Sequence, residues 1–418
     1  MIIKSKKIIG LFIVILLINV SIPSFSGKTI SKTVDNVKSI QDSSDDENIF
    51  RLKMRIAMKL AHMQSISACI IKDNTVVWSD NFGYSDRLTR QKPTINTNYM
   101  AGSISKVVTA ATIMQLYENK SYDIDLDDNV SKWLPFDIKN PNHPNVNITL
   151  RMLLSHQSSI LGHGFTEIKY LFSNNKDSFL EEILMPYGSE YHPDYWAEYP
   201  PGEDAAYSNM GFILLGYLIE IITNQDFEDY VTENILQPLE MYNTSFNLSK
   251  IDKDNLAAPY LWFGGIYIRA PKTDYTFMDP AGGMYTTVED LSHLMIMHLN
   301  NGTYKDKKIL KNSTIETMHK IHYPDSTPYY RLRFGLGWLF KLDNDKKEII
   351  MEGHGGDLIC FHAKMWKRMS DNTSVIYFQN SASFILSRLF IFPILSKILT
   401  DKGSQKVFNL LFQKADEI

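Results

Sequence analysis

Ser103 and Lys106 stand three residues apart in Gly102-Ser103-Ile104-Ser105-Lys106, at the head of the apolar stretch 104–118 (ISKVVTAATIMQLYE). A serine hydroxyl is a poor nucleophile at neutral pH and needs an adjacent base. On a helix, a lysine three residues on lies on the same face, where its amine reaches the hydroxyl. The N-terminus of such a helix carries partial positive charge and N–H groups, which favour a developing oxyanion and disfavour a protonated amine. Burial among Val107, Val108, Ala110 and Ile113 would depress the lysine pKa as well, making it a usable base. The pattern alone is not specific. It recurs as Ser173-Asn174-Asn175-Lys176, in a polar stretch with no apolar helix behind it. Ser103 taken singly also fits a helix N-cap, a common place for serine.

Two further groups would complete the chemistry. Tyr207-Ser208-Asn209 follows Pro200-Pro201-Gly202. A phenol beside a lysine can run as phenolate and relay protons between nucleophile and leaving group. An asparagine two residues on can orient the lysine and bind a substrate amide. The same spacing at Tyr117-Glu118-Asn119 ends a helical stretch and has no Pro-Gly turn ahead of it. Gly353-His354-Gly355-Gly356-Asp357 lies between two strand-like runs. Glycines inside a strand mark close approach by another backbone or a ligand. Backbone N–H groups of Ser103 and Asp357 could then hold an oxyanion together. A bulge or tight turn with an incidental histidine is the plainer alternative.

These residues need elements to bring them together. Phe50 to Met63 reads as a helix, and ISACIIKD with NTVVWSDNFGYSD as two strands joined at Lys72-Asp73-Asn74, a hairpin turn signal. Residues 104–118 form the apolar helix. From Ser121 to about Thr287 the signals are helices and loops: LRMLLSH, SFLEEIL, GFILLGYLIEII and DFEDYVTENIL. Strand signals return at RFGLGWLFKL, KEIIMEGHGG, LICFHAKMW and TSVIYFQN. Strands, then helices, then strands predict an α+β fold: one antiparallel sheet built from both chain ends, flanked by helices, with a mainly helical lobe (about 121–287) inserted. The expected organisation is a signal peptide or anchor at 1–26, a polar tether at 27–48, the main domain at 49–400 and a tail helix at 401–418.

Lys4, Lys6 and Lys7 precede the apolar run Ile8 to Val20, and Ser24-Phe25-Ser26 offers small residues for a signal peptidase. The run is shorter than the ~20 residues of a relaxed span, so export with cleavage is the first reading and an uncleaved anchor the second. The protein would be secreted or held at the membrane by this segment. Phe384 to Thr400 is apolar but carries Arg388, Pro393 and Lys397. It reads as a terminal helix covering the sheet, with contact at a membrane surface as the alternative.

The 418 residues are 44% hydrophobic, enough for a sizeable core. Lys+Arg number 43 against 47 Asp+Glu, dispersed, and no basic stripe suggests nucleic acid. Cys69 and Cys360 sit in separate apolar runs, where buried thiols are a plainer reading than a disulfide. His62, His143, His156, His163 and His293 lack metal-ligand spacing and read as structural or surface residues.

Taken in order, these elements resemble the serine β-lactamase and penicillin-binding protein superfamily, which combines a Ser-x-x-Lys helix, a second polar motif and a Lys-Thr-Gly strand. The nearest branch is similar to the class C β-lactamases and related esterases, D-aminopeptidases and D,D-peptidases. ITLRMLLSHQSSI, PPGEDAAYSNMGFILLGYLIE, ILQPLEMYNTSF, DPAGGMYTTVEDLSHLM and GHGGDLICFHAKMW each resemble family segments, over roughly residues 50 to 400. The resemblance implies a β-lactamase/transpeptidase-like fold and a serine hydrolase without metal or cofactor. Its substrate would be a small molecule or peptide: an ester, an amide or a D-amino-acid peptide. Ser103 would be acylated, Lys106 and Tyr207 would share the general base and acid roles, and Asn209 would position Lys106 and the substrate. The Ser103 and Asp357 amides would hold the oxyanion, with Gly356 lining the site and His354 in the place of the strand lysine. His354-Gly355-Gly356 removes the cation and hydroxyl that grip a substrate carboxylate, so a β-lactamase proper, or a non-catalytic binding protein, is the alternative. Leu153-Leu154-Ser155-His156-Gln157-Ser158-Ser159 departs from the family's Thr-Ser-Gly, which implies altered loop geometry there. Cys360, Phe361 and His362 stand where many relatives carry Pro-Gly-Phe, which implies a reshaped cleft wall.

Overall fold

The structure, a computed structural model, describes residues 43–161, 179–263, 266–271, 278–323, 332–345, 347–358, 360–383 and 393–418. The expected signal segment, most of the tether, His163 and the second Ser-x-x-Lys at Ser173 lie outside the described residues.

Helix α1 runs Ser43–Leu60. It starts seven residues before the expected Phe50, inside the stretch read as tether. Ser43 and Ser44 followed by Asp45, Asp46 and Glu47 form an N-terminal signature whose acidic turn suits the helix dipole. Strands β1 (Ser65–Lys72) and β2 (Thr75–Gly83) then form the predicted hairpin. Its turn places Asp73 at φ 48° and Asn74 at φ 60°, the left-handed geometry that a two-residue turn requires and that Asp and Asn tolerate.

The remaining strands of the main sheet come from the C-terminal part of the chain. They are β3 (Leu332–Phe334), β4 (Leu339–Leu342), β5 (Ile349–Asp357), β6 (His362–Arg368) and β7 (Ser374–Gln379). The order is β2-β1-β7-β6-β5-β4-β3, antiparallel at every step. β1 therefore lies against β7, with Ile66 opposite Gln379, and the two chain ends meet inside the sheet. Both strands are buried almost throughout because the sheet is covered on both faces there.

Cys69, Ile71, Met365, Ile376 and Phe378 face the main apolar core. There the sheet meets helix α2 (Ser105–Glu118) and helix α4 (Val288–Leu299), and the Cys69 thiol donates to the Val288 carbonyl. The opposite face is covered by the terminal helix α5, which runs Pro393–Glu417 and so starts before the expected 401. The Tyr377 hydroxyl meets Ser404 on α5, the Tyr377 ring lies 6.5 Å from Phe408, and Arg368 pairs with Asp416. Cys69 and Cys360 are separate buried thiols.

Helix α2 is buried nearly all round, as its uniform apolarity predicts. Helix α3 (Asn209–Thr223) of the inserted lobe, whose N-cap is Ser208, also packs against it. The lobe is mainly helical but also holds a hairpin, Tyr260–Phe263 with Ile266–Arg269, to which Ser381–Ser383 adds a parallel strand. That pairing joins segments more than a hundred residues apart, which no local pattern reports. No helix among the described residues is long and apolar enough to cross a membrane.

Candidate active site

Ser103 sits in the 3₁₀ turn Gly102–Ile104, immediately before α2. It is not a cap: neither the turn nor α2 shows a side-chain capping bond. The local hydroxyl bond is made by Ser105, which donates to the Gly102 carbonyl at 2.7 Å. One turn on, Lys106 is fully buried. Its Nζ donates to Ser103 Oγ at 3.2 Å, to Asn209 Oδ1 at 2.7 Å and to the Ala281 carbonyl at 2.5 Å. Three acceptors converge on this one amine. A buried amine is thus met by polar groups drawn from the 3₁₀ turn, α3 and the short helix Asp279–Gly282. The Ala281 carbonyl is the contributor that side-chain reasoning could not name, since any residue supplies one.

Tyr207 ends the loop into α3, and its ring centroid lies 5.0 Å from Lys106 Nζ. Ser208 then caps α3 by accepting from the Gly211 N–H at 2.9 Å, which fixes Asn209 as the first helical residue. The three residues of the second motif thus do three different things in consecutive positions: face the lysine, start the helix, and hold the lysine.

Strand β5 brings the third motif. It pairs with β4 only as far as Gly353, opposite Leu339, so from His354 onward that edge is free of β4 and approaches the turn that carries Ser103. The Leu358 N–H donates to the Phe361 carbonyl across the β6 side, so by alternation the Asp357 amide faces the other edge, on the side of that turn. The strand end presses on the turn that carries Ser103. A Cβ on Gly356 would lie 1.8 Å from the Ala101 carbonyl and 3.2 Å from the Ser103 nitrogen. A Cβ on Gly102, itself at φ 54°, would lie 3.0 Å from the Asp357 nitrogen. Both glycines are needed for this approach, which brings the Gly356–Asp357 backbone against the Gly102–Ser103 turn.

His354 is 1% exposed. Its Nδ1–H donates to the Gly355 carbonyl at 2.6 Å, and its Nε2 is buried with no protein partner. Burial first, and the Lys106 charge second, push its pKa down to about 3, so the ring is neutral. The Asp357 carboxylate, by contrast, is 69% exposed and accepts from His362 Nδ1 at 2.5 Å.

One histidine that the sequence offered only as structural or surface lies beneath this group. His156 is 3% exposed, and its ring centroid is 4.4 Å from that of Tyr207. Burial, then Lys106 and His354, hold its pKa well below the usual range. All seven residues singled out from the sequence converge here: Ser103, Lys106, Tyr207, Asn209, His354, Gly356 and Asp357. Among the described residues, no cluster of His, Cys, Asp or Glu is placed to hold a metal ion. A separate cavity of about 330 Å³, lined by Ile213, Tyr217, Glu220, Asp279 and neighbours, contains none of the seven.

A mixed fold with a large antiparallel sheet, a buried helix headed by a serine–lysine pair, and a strand edge against that serine define the β-lactamase/transpeptidase-like class of hydrolases. The chain belongs to the β-lactamase family: the family model "Beta-lactamase" matches residues 51–389. "Protein flp" of Staphylococcus aureus strain MW2 is 27% identical over 361 residues, covering 86% of this chain and 68% of that protein. The octameric penicillin-binding protein homologue from Pyrococcus abyssi is similar in structure, with TM-score 0.64 and 26% identity over 80% of this chain and 74% of that one. The D-amino acid amidase from Ochrobactrum anthropi SV3 shares the fold, with TM-score 0.65 at 17% identity, over 89% of this chain and 99% of that one.

Proposed function

We propose that this hydrolase works through an acyl-enzyme on Ser103, on esters, amides or D-amino-acid peptides. The observation that carries the reading is Lys106 Nζ held between Ser103 Oγ and Asn209 Oδ1 under the Tyr207 ring. Ser103 Oγ attacks the substrate carbonyl carbon, and its proton passes to the Lys106–Tyr207 pair. The Ser103 and Asp357 N–H groups receive the oxyanion, which is where such donors lower the barrier most. As the tetrahedral species collapses, the pair returns the proton to the leaving alcohol or amine. Water then attacks the acyl carbon, with the same pair as base, and releases the acid and free Ser103.

The strand motif shapes the substrate preference. A neutral imidazole and a glycine stand where a cation and a hydroxyl would grip a carboxylate, and Asp357 adds an exposed negative charge. Neutral or amine-bearing acyl donors are favoured over β-lactams, which carry a carboxylate. Incubation with an activated ester should leave a mass adduct on Ser103 and release alcohol catalytically; Ser103→Ala should do neither. A folded wild type with no adduct and no turnover would mark a non-catalytic binding protein instead. Nitrocefin hydrolysis well above the Ser103→Ala level would make it a β-lactamase proper. The N-terminal segment supports export as the reading: the processed chain should leave the cytoplasm with its N-terminus near residue 27, or stay membrane-bound if the segment is kept.

A further inference from the structure

We infer that His156 is the positioning residue that holds Tyr207 over Lys106, an inference that rests on the acyl-enzyme reading above. His156 follows the helix Leu150–Leu154 and adopts φ 58°, in the left-handed region. Few residues other than glycine sit there, though His, Asn and Asp do so more readily than most. This backbone geometry turns both the carbonyl and the ring of one residue towards the loop that leads into α3. The His156 carbonyl accepts from the Ala206 N–H at 3.0 Å, and its Nδ1 accepts from the Ser208 N–H at 3.1 Å. Tyr207 is therefore bracketed on both sides by hydrogen bonds to a single residue. The ring supplies a third restraint, lying 4.4 Å from the Tyr207 ring at an interplanar angle of 30°.

The His156 ring is itself fixed from behind. Phe212 of α3 lies 5.1 Å away and Phe334 of β3 5.0 Å away, centroid to centroid. His156 thus ties the lobe loop to both the lobe helix and the sheet edge. An accepting Nδ1 puts the ring proton on Nε2, the neutral tautomer. A protonated ring would turn a donor towards the Ser208 N–H, which is also a donor. The tautomer and the position of Tyr207 are consequently one arrangement. A phenol that must exchange protons with Lys106 and a leaving group tolerates little displacement, since a misplacement of ~1 Å can cost ~10²-fold in rate.

A double-mutant cycle in the full chain tests this, with kcat and KM measured on an activated ester. His156→Phe keeps a ring and removes the Nδ1 acceptor. His156→Asn keeps an acceptor near Nδ1 and suits the left-handed backbone, but removes the ring. Both should lower kcat with KM within about threefold, His156→Phe by about 30- to 100-fold and His156→Asn by about tenfold. In a Tyr207→Phe background neither should lower kcat further, because a residue that acts through Tyr207 has nothing left to position. Equal fold-losses in the Tyr207→Phe and wild-type backgrounds would overturn the inference, as would a loss confined to KM. Should either variant fail to fold, as read from its melting transition, the other carries the same cycle. A wild type inert towards both ester and a phosphonate label for Ser103 removes the acyl-enzyme reading and this inference together. A reactive wild type with fully active His156 variants removes this inference alone.

Discussion

At the residue scale, the decisive group is Lys106, because one buried amine contacts the candidate nucleophile, the second motif and the short helix Asp279–Gly282. Lys106→Met keeps the stem but removes all three bonds, and kcat on an activated ester should fall at least ~10³-fold. Its pairing with Ser103 was legible from the spacing together with the apolar helix behind it, which Ser173 lacks. Its bond to Ala281 was not, because a carbonyl leaves no mark on residue type. His354 illustrates the converse: its identity is plain in the sequence, but its charge state is set by burial beside Lys106. Installing a cation with His354→Lys should raise the rate ratio of carboxylate-bearing to neutral substrates by about tenfold, the scale of one partly screened charge pair. Parallel rates on nitrocefin and a neutral ester would show it; an unchanged ratio would mean that the strand residue does not meet the substrate.

At the element scale, the site depends on how closely β5 approaches the 3₁₀ turn that carries Ser103. Gly356→Ala places a methyl 1.8 Å from the Ala101 carbonyl, so strand or turn must move and the Ser103 and Asp357 amides separate. We expect kcat to fall by ~10²-fold or more, the cost of losing one oxyanion donor. Gly355→Ala is the control, since its Cβ would meet nothing nearer than the Ala363 carbonyl at 3.7 Å. Similar losses from the two changes would contradict this account. At the other end of the cleft, Ser208→Ala removes the cap of α3 and should cost about 1 kcal/mol in denaturant unfolding. Strong local patterns gave away the helices 105–118 and 209–223 and the first hairpin. The hairpin at 260–269 is a local pairing whose Gly264-Gly265 turn signal went unread among the helical segments of the lobe, whereas its parallel neighbour at 381–383 lies too far along the chain to leave any local trace.

At the scale of the whole molecule, three histidines among the described residues are buried with pKa values far below the usual range. His156, His298 and His354 all have pKa values lowered first by burial. The unfolded chain protonates them below pH ~6.5, whereas the folded chain does so only much lower. Stability is therefore full above that pH and falls as the pH drops, by up to ~1.4 kcal/mol per unit for each histidine. Urea midpoints at pH 7 and pH 5 should differ clearly, and replacing His298 with Asn should reduce the difference; a flat profile between them would refute it. Carboxylates with depressed pKa values, such as Glu352 and Asp371, act in the same direction but at lower pH. The sequence by itself determined the apolar helix behind Ser103 and the split of one sheet between the chain ends, which are written in local apolar periodicity, and its resemblance to a known family joined the three motifs into one candidate site. Only the tertiary structure decided which carbonyl completes the lysine's shell, that His354 is uncharged, and that His156 lies under Tyr207. Those outcomes depend on burial and on contacts between distant segments, and neither is a property of any stretch of chain taken alone.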